Sequence, residues 1–125
     1  MKSLLLVDDR PSDLRIAADA ARDLGITEVN AQTSVMHARL YLERALEGNT
    51  PLPDGIVLDL DCGIESGFEL LRFWHSTPRL VAIPVIIWSV MDRQREICDL
   101  FKVKSFVSKW EGPKALREAL AQLAN

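Results

Sequence analysis

Six polar residues each stand at or just beyond the end of an apolar run. Asp8 and Asp9 follow "SLLLV", Asp59 and Asp61 lie in "GIVLDLD", Ser89 follows "PVIIW", and Lys109 follows "SFVS". Several carboxylates brought together without a counter-charge would cost on the order of several kcal/mol in repulsion and desolvation. A divalent cation removes that cost. Carboxylate, carbonyl and water oxygens, with no His or Cys among them, suit Mg²⁺ better than zinc. A lysine and a hydroxyl opposite such an ion outline a place for a phosphoryl group, whose oxygens need cations and donors around them. Each residue alone has an ordinary role, since an Asp pair or a Ser before a helix often caps it. Only their arrival at one common edge gives them a joint chemistry.

That edge depends on the elements that carry the residues. "SLLLVD" (3–8), "GIVLDL" (55–60) and "IPVIIWS" (83–89) are short, nearly continuous apolar runs, the pattern of strands covered on both faces. "ITEVNAQ" (26–32) alternates weakly and reads as a more exposed strand, and "VKSFVS" (103–108) as the fifth. Between them, 10–25, 34–49, 66–76 and 91–101 carry helical spacing, with Gly25 and Gly48 as stops. Pro113 opens a last helix over 112–124. Five βα units in sequence predict an open parallel sheet with helices on both faces. Ligands bind such sheets beyond the carboxyl ends of the strands, where the six polar residues fall.

The whole chain sets bounds on function. Its 125 residues suit one domain, 1–125, with a real hydrophobic core. A net charge of -3 and the lack of a basic run give no nucleic-acid footprint. The apolar start "LLLV" is too short for an export signal, and no stretch approaches the ~20 residues that span a bilayer. Cys62 and Cys98 form no paired or metal-binding motif. The expectation is a reduced, cytoplasmic protein.

The motifs "LLVDD", "IVLDLD…SGFELL", "PVIIWS" and "KSFVSK", in this order and spacing, resemble the receiver domain of two-component response regulators over essentially the whole chain. The resemblance implies a flavodoxin-like (βα)5 fold, a doubly wound parallel five-stranded sheet of order 2-1-3-4-5. It implies Asp59 as phosphoacceptor, Asp9 as a direct Mg²⁺ ligand, Asp8 as an acid holding the metal through water, and the Asp61 backbone carbonyl as a further metal contact. Ser89 matches the hydroxyl that moves toward the phosphoryl group, Lys109 its lysine partner, and Phe106 the switch aromatic. The implied function is a stand-alone phosphorelay receiver, loaded by a histidine kinase or histidine phosphotransferase. It is no enzyme beyond slow loss of its own phosphate. Its output would pass through protein contacts on the face of the fourth helix, fifth strand and fifth helix, a face that would also serve a homodimer.

Three positions depart from the family pattern. Val90 follows the switch hydroxyl where a small residue is usual, and Gly63 replaces a Pro. Trp110 replaces the Pro that usually follows the lysine through a cis bond; here the expectation is a trans bond, or else a well-packed Trp110. Val90, Asp61 and the Lys109-Trp110 step leave open a degenerate receiver that serves only as a docking module. "VLDLDCG" also resembles the opening motif of haloacid-dehalogenase-type phosphatases, with Asp59 as nucleophile and Asp61 as general acid. Against that reading, the "DD" pair comes first in the chain and no segment is long enough for a substrate cap.

Overall fold

The computed structural model describes residues 1–90 and 95–124, and only the backbone of Ile97 and Cys98. Strands β1 (Ser3–Val7), β2 (Glu28–Gln32), β3 (Gly55–Leu58), β6 (Val85–Ser89) and β7 (Ser105–Ser108) form one parallel sheet in the order β2-β1-β3-β6-β7. Counting only these five, the order is 2-1-3-4-5, the flavodoxin-like arrangement. Helices α1 (Pro11–Asp23), α2 (Val35–Leu46), α3 (Gly67–Ser76), α5 (Arg95–Phe101) and α6 (Pro113–Ala124) connect and follow the strands.

Strand alternation sorts the apolar residues into two cores. Leu5, Val7, Ile56, Leu58, Val85 and Ile87 face one way and pack with Leu42 of α2 and Leu71 and Trp74 of α3. Leu4, Leu6, Val57, Ile86, Trp88 and Val107 face the other way, against Leu14 and Ala21 of α1 and Leu116 and Leu120 of α6. Each fully buried Leu, Ile or Val contributes about 1.5–3 kcal/mol, so both faces of the three inner strands are anchored. β2 lies at the edge with its residues only partly covered, as its weak alternation predicts.

Two elements depart from the sequence expectation. Pro78 opens a one-turn helix, α4 (Pro78–Val81), rather than only closing α3. The segment after Asp59, expected to be a loop, folds into an antiparallel ribbon of β4 (Asp61–Cys62) and β5 (Glu65–Ser66). Its two-residue turn has Gly63 at φ +67°, while Ile64 keeps a negative φ. A Gly in the first turn position suits such a hairpin, and a Pro, locked near φ −65°, cannot take it. Residues 91–94, the expected start of the fourth main helix, lie outside the described residues, and α5 is described from Arg95.

Candidate phosphoryl and metal site

Register brings the acids together. Val7 pairs with Leu58, so Asp8 and Asp59 both lie one residue beyond the last β1–β3 pair. The two carboxylates are built alike. Asp8 Oδ1 accepts the Arg10 N–H at 3.0 Å, and Asp59 Oδ1 accepts the Asp61 N–H at 3.0 Å. Each is an Asx turn onto the backbone two residues on, which fixes the side chain and leaves Oδ2 for the site. Both residues are buried, at 3% and 5% exposure. Asp9 is exposed and reaches toward the ribbon: a Cβ on Gly63 would stand 3.1 Å from its Oδ2.

Lys109 begins a 3-10 turn, Lys109–Glu111, directly after β7. Ser108 and Glu111 cap that turn reciprocally, which fixes where the lysine stem leaves the backbone. Its Nζ donates to Asp8 Oδ2 at 2.6 Å, to Asp59 Oδ2 at 2.8 Å and to Asp13 Oδ2 at 2.8 Å. All three ammonium hydrogens are thus committed. The Trp88 ring lies 5.0 Å from Nζ, and its own Nε1–H finds no acceptor among the described residues.

The electrostatics follow from one cation shared among several acids. Burial pushes the Asp8 carboxyl up to about 6, although Lys109 and the Arg10 amide pull it down. Burial disfavours the Lys109 charge, but its bonds to Asp13, Asp59 and Asp8 outweigh that and raise its pKa. Burial, with Asp59 next, pushes the neighbouring Cys62 thiol up to about 12, so it is an inert core group. One oxygen each from Asp8, Asp9 and Asp59 lie within 4.8 Å of one another. Three carboxylates at that spacing fit a hard divalent cation held through oxygen.

Solved structures of known proteins share this fold. The phosphorylated cyanobacterial phytochrome response regulator RcpA superposes with a TM-score of 0.81 at 28% identity, over 98% of this chain and 90% of that one. The bacteriophytochrome response regulator RtBRR gives 0.83 at 26%, over 100% and 79%. The Mn²⁺-bound form of response regulator Rcp1 gives 0.82 at 24%, over 98% and 91%. The chain has the fold of response regulator receiver domains. No protein-family model matches the sequence, and no curated protein matches it. The receiver architecture leaves the haloacid-dehalogenase-type reading without support.

Within this fold the other expected residues fall as follows. Ser89 is fully buried at the end of β6, paired in register with Ser108, the residue before Lys109. Asp61 starts the ribbon with its side chain exposed. Phe106, in the middle of β7, is half-buried, with the Arg95 guanidinium 4.6 Å from its ring centre. Val90 is half-buried. No cis peptide occurs among the described residues, and Trp110 is 80% exposed, so the Lys-Trp step is trans and Trp110 needs no packing partner.

Sequence reasoning missed three residues. Asp13 reads as an ordinary acid in the first turn of a helix, and only the docking of α1 over β1 turns it to Lys109. Its position a helical turn beyond Asp9, on the helix that leaves the acidic edge, was the available signal. Glu65 accepts the Val35 and Met36 N–H groups at 2.9 and 3.1 Å, tying the ribbon to the start of α2. Gly67 has no room for a side chain: a Cβ would stand 2.4 Å from the Asp59 carbonyl oxygen and 2.6 Å from Leu60 Cα. The start of α3 is therefore pressed against the backbone that carries Asp59.

Proposed function

We infer that Asp59 accepts a phosphoryl group from the phosphohistidine of a histidine kinase or histidine phosphotransferase, with Mg²⁺ as cofactor. The observation that carries this is the Asp59 carboxylate itself: one oxygen fixed on the Asp61 amide, the other 2.8 Å from Lys109, inside a cluster fit for a divalent cation. An Asp59 oxygen attacks phosphorus as the P–N bond breaks, and the imidazole leaves with that electron pair. The reaction is in-line, and the protein contributes mainly position and charge. Asp8, Asp9, Asp59 and the Asp61 carbonyl would hold the cation, which would neutralise charge on the transferring group. Lys109 donates to the phosphoryl oxygens, Ser89 offers its hydroxyl, and Phe106 follows Ser89 as the switch. The acyl phosphate biases a pre-existing two-state equilibrium.

This reading draws support from the neighbours, one solved in phosphorylated form and one with Mn²⁺ bound. Output runs through protein contacts on the face of α5, β7 and α6, where Leu100 and Trp110 are exposed. The test is incubation with phosphoramidate or acetyl phosphate and Mg²⁺, followed by intact-mass measurement. The wild type gains one phosphoryl mass, and Asp59→Asn gains none while keeping its fold. A wild type that never gains the mass leaves the docking-module reading; labelling of Asp59→Asn would reassign the acceptor.

A further inference from the structure

Lys109 makes three bonds, and the proposed chemistry claims only two of their acceptors. Asp8 and Asp59 belong to the cation cluster, and Asp59 is the acceptor as well. Asp13 belongs to neither. It comes from α1, outside the cation cluster, yet its Oδ2 is as close to Nζ as that of Asp59. Both side chains are largely covered, with Lys109 10% and Asp13 18% exposed. α1 has no side-chain N-cap, so the carboxylate is spent on the lysine and not on capping its own helix.

Two events must withdraw acceptors from Lys109 when the site works. A bound cation draws the charge of Asp8 and Asp59 toward itself, and a phosphorylated Asp59 no longer has a free carboxylate. A lysine held by those two acids alone would lose its grip when it is needed. Its long stem has four rotatable bonds, and an unanchored ammonium turns to solvent. The Trp88 ring beside it offers attraction but no direction.

We propose that Asp13 is a positioning residue, a standing anchor that retains one ammonium hydrogen of Lys109 while metal and phosphoryl group take over its other partners. Two hydrogens then remain for the phosphoryl oxygens, from a lysine whose place is already fixed. The proposal rests on the phospho-acceptor reading above and deepens it.

The test compares Asp13→Ala, which removes the anchor, with Asp13→Asn, which keeps an acceptor oxygen at the same reach. Lysine side chains labelled with ¹⁵N report directly on the ammonium, and Lys109→Met identifies its signal. In metal-free protein the slowly exchanging Lys109 signal is expected in wild type and both variants, because Asp8 and Asp59 still hold it. At saturating Mg²⁺ it is expected to persist in wild type and Asp13→Asn and to vanish in Asp13→Ala. Loading from phosphoramidate should slow about tenfold in Asp13→Ala, the loss of roughly one charge-assisted hydrogen bond, and recover to within about threefold in Asp13→Asn. A Lys109 signal that survives Mg²⁺ in Asp13→Ala overturns the anchor, as does wild-type loading in that variant. If Mg²⁺ shifts no backbone amide near Asp8 and Asp59 in the wild type, the metal-dependent reading beneath fails instead, and the proposal with it.

Discussion

At the scale of single residues the site is governed by a shortage of positive charge. One ammonium serves three carboxylates, so none is fully neutralised, and Asp8, the deepest, bears the burial cost. This gives a pH dependence with a definite sign. The Asp8 carboxyl titrates near 3.8 when unfolded and at about 6 in the fold. Its protonated form is favoured by folding, so the stabilisation is complete below about pH 4 and is lost as pH rises through 6. The shift corresponds to roughly 3 kcal/mol at most for this group. Metal-free protein is therefore expected to lose stability between about pH 4 and pH 6 in urea unfolding, and Asp8→Asn to flatten that slope. An equally steep slope in Asp8→Asn would assign the effect to another group.

At the scale of elements, the β4–β5 ribbon fastens the segment that carries Asp59 to its surroundings. Gly67 lets α3 begin against the Asp59 backbone, and Glu65 reaches across to the amides of Val35 and Met36 at the start of α2. A carboxylate at a helix N-terminus satisfies orphan N–H groups and meets the positive end of the helix dipole. Burial pushes the Glu65 carboxyl upward, but the Val35 and Met36 amides outweigh it and hold it below the usual range. A depressed pKa means a contribution present above the ordinary carboxylate range and lost as pH falls through the folded value. Glu65→Ala should cost about 1 kcal/mol at pH 7, the usual loss of a helix cap. The difference from wild type should shrink in urea unfolding at pH 3. A gap that stays constant with pH would mean that packing, not the charge, carries the effect.

At the scale of the whole molecule, Lys109 acts as the counter-charge that lets the fold gather its acids before any metal arrives. It crosses from the end of β7 to groups just beyond β1 and β3 and on α1, up to 101 residues away in sequence. Removing it leaves buried carboxylates unpaired. Lys109→Met is expected to lose on the order of 3 kcal/mol at neutral pH without metal. A bound Mg²⁺ would stabilise both proteins by linkage, about 2.7 kcal/mol at a hundred times the dissociation constant. The variant should gain more from Mg²⁺ than wild type at a given concentration, since no ammonium competes for the acids. Thermal melts across a Mg²⁺ series check this, and equal gains would show that Lys109 and the cation do not compete.

The sequence by itself determined the five βα units and the parallel sheet; the strand order came only through the family resemblance and is shown by the fold. Short, β-branched apolar runs such as "PVIIW" suit strands covered on both faces, and local spacing marks the helices between them. It also determined that Asp8, Asp9, Asp59, Ser89 and Lys109 stand at strand ends, because strand length fixes where a run stops. Only the tertiary structure decided what those groups touch. The ribbon after Asp59 rests on a turn conformation at Gly63 and on a contact between Glu65 and α2, thirty residues apart in the chain. Asp13 has the composition of any helix-start acid, and nothing local distinguishes one facing solvent from one facing a lysine. Its role depends on how α1 docks on β1 and on where β7 ends. Side-chain partners at long range are set by packing, and packing is a property of the assembled cores rather than of any segment.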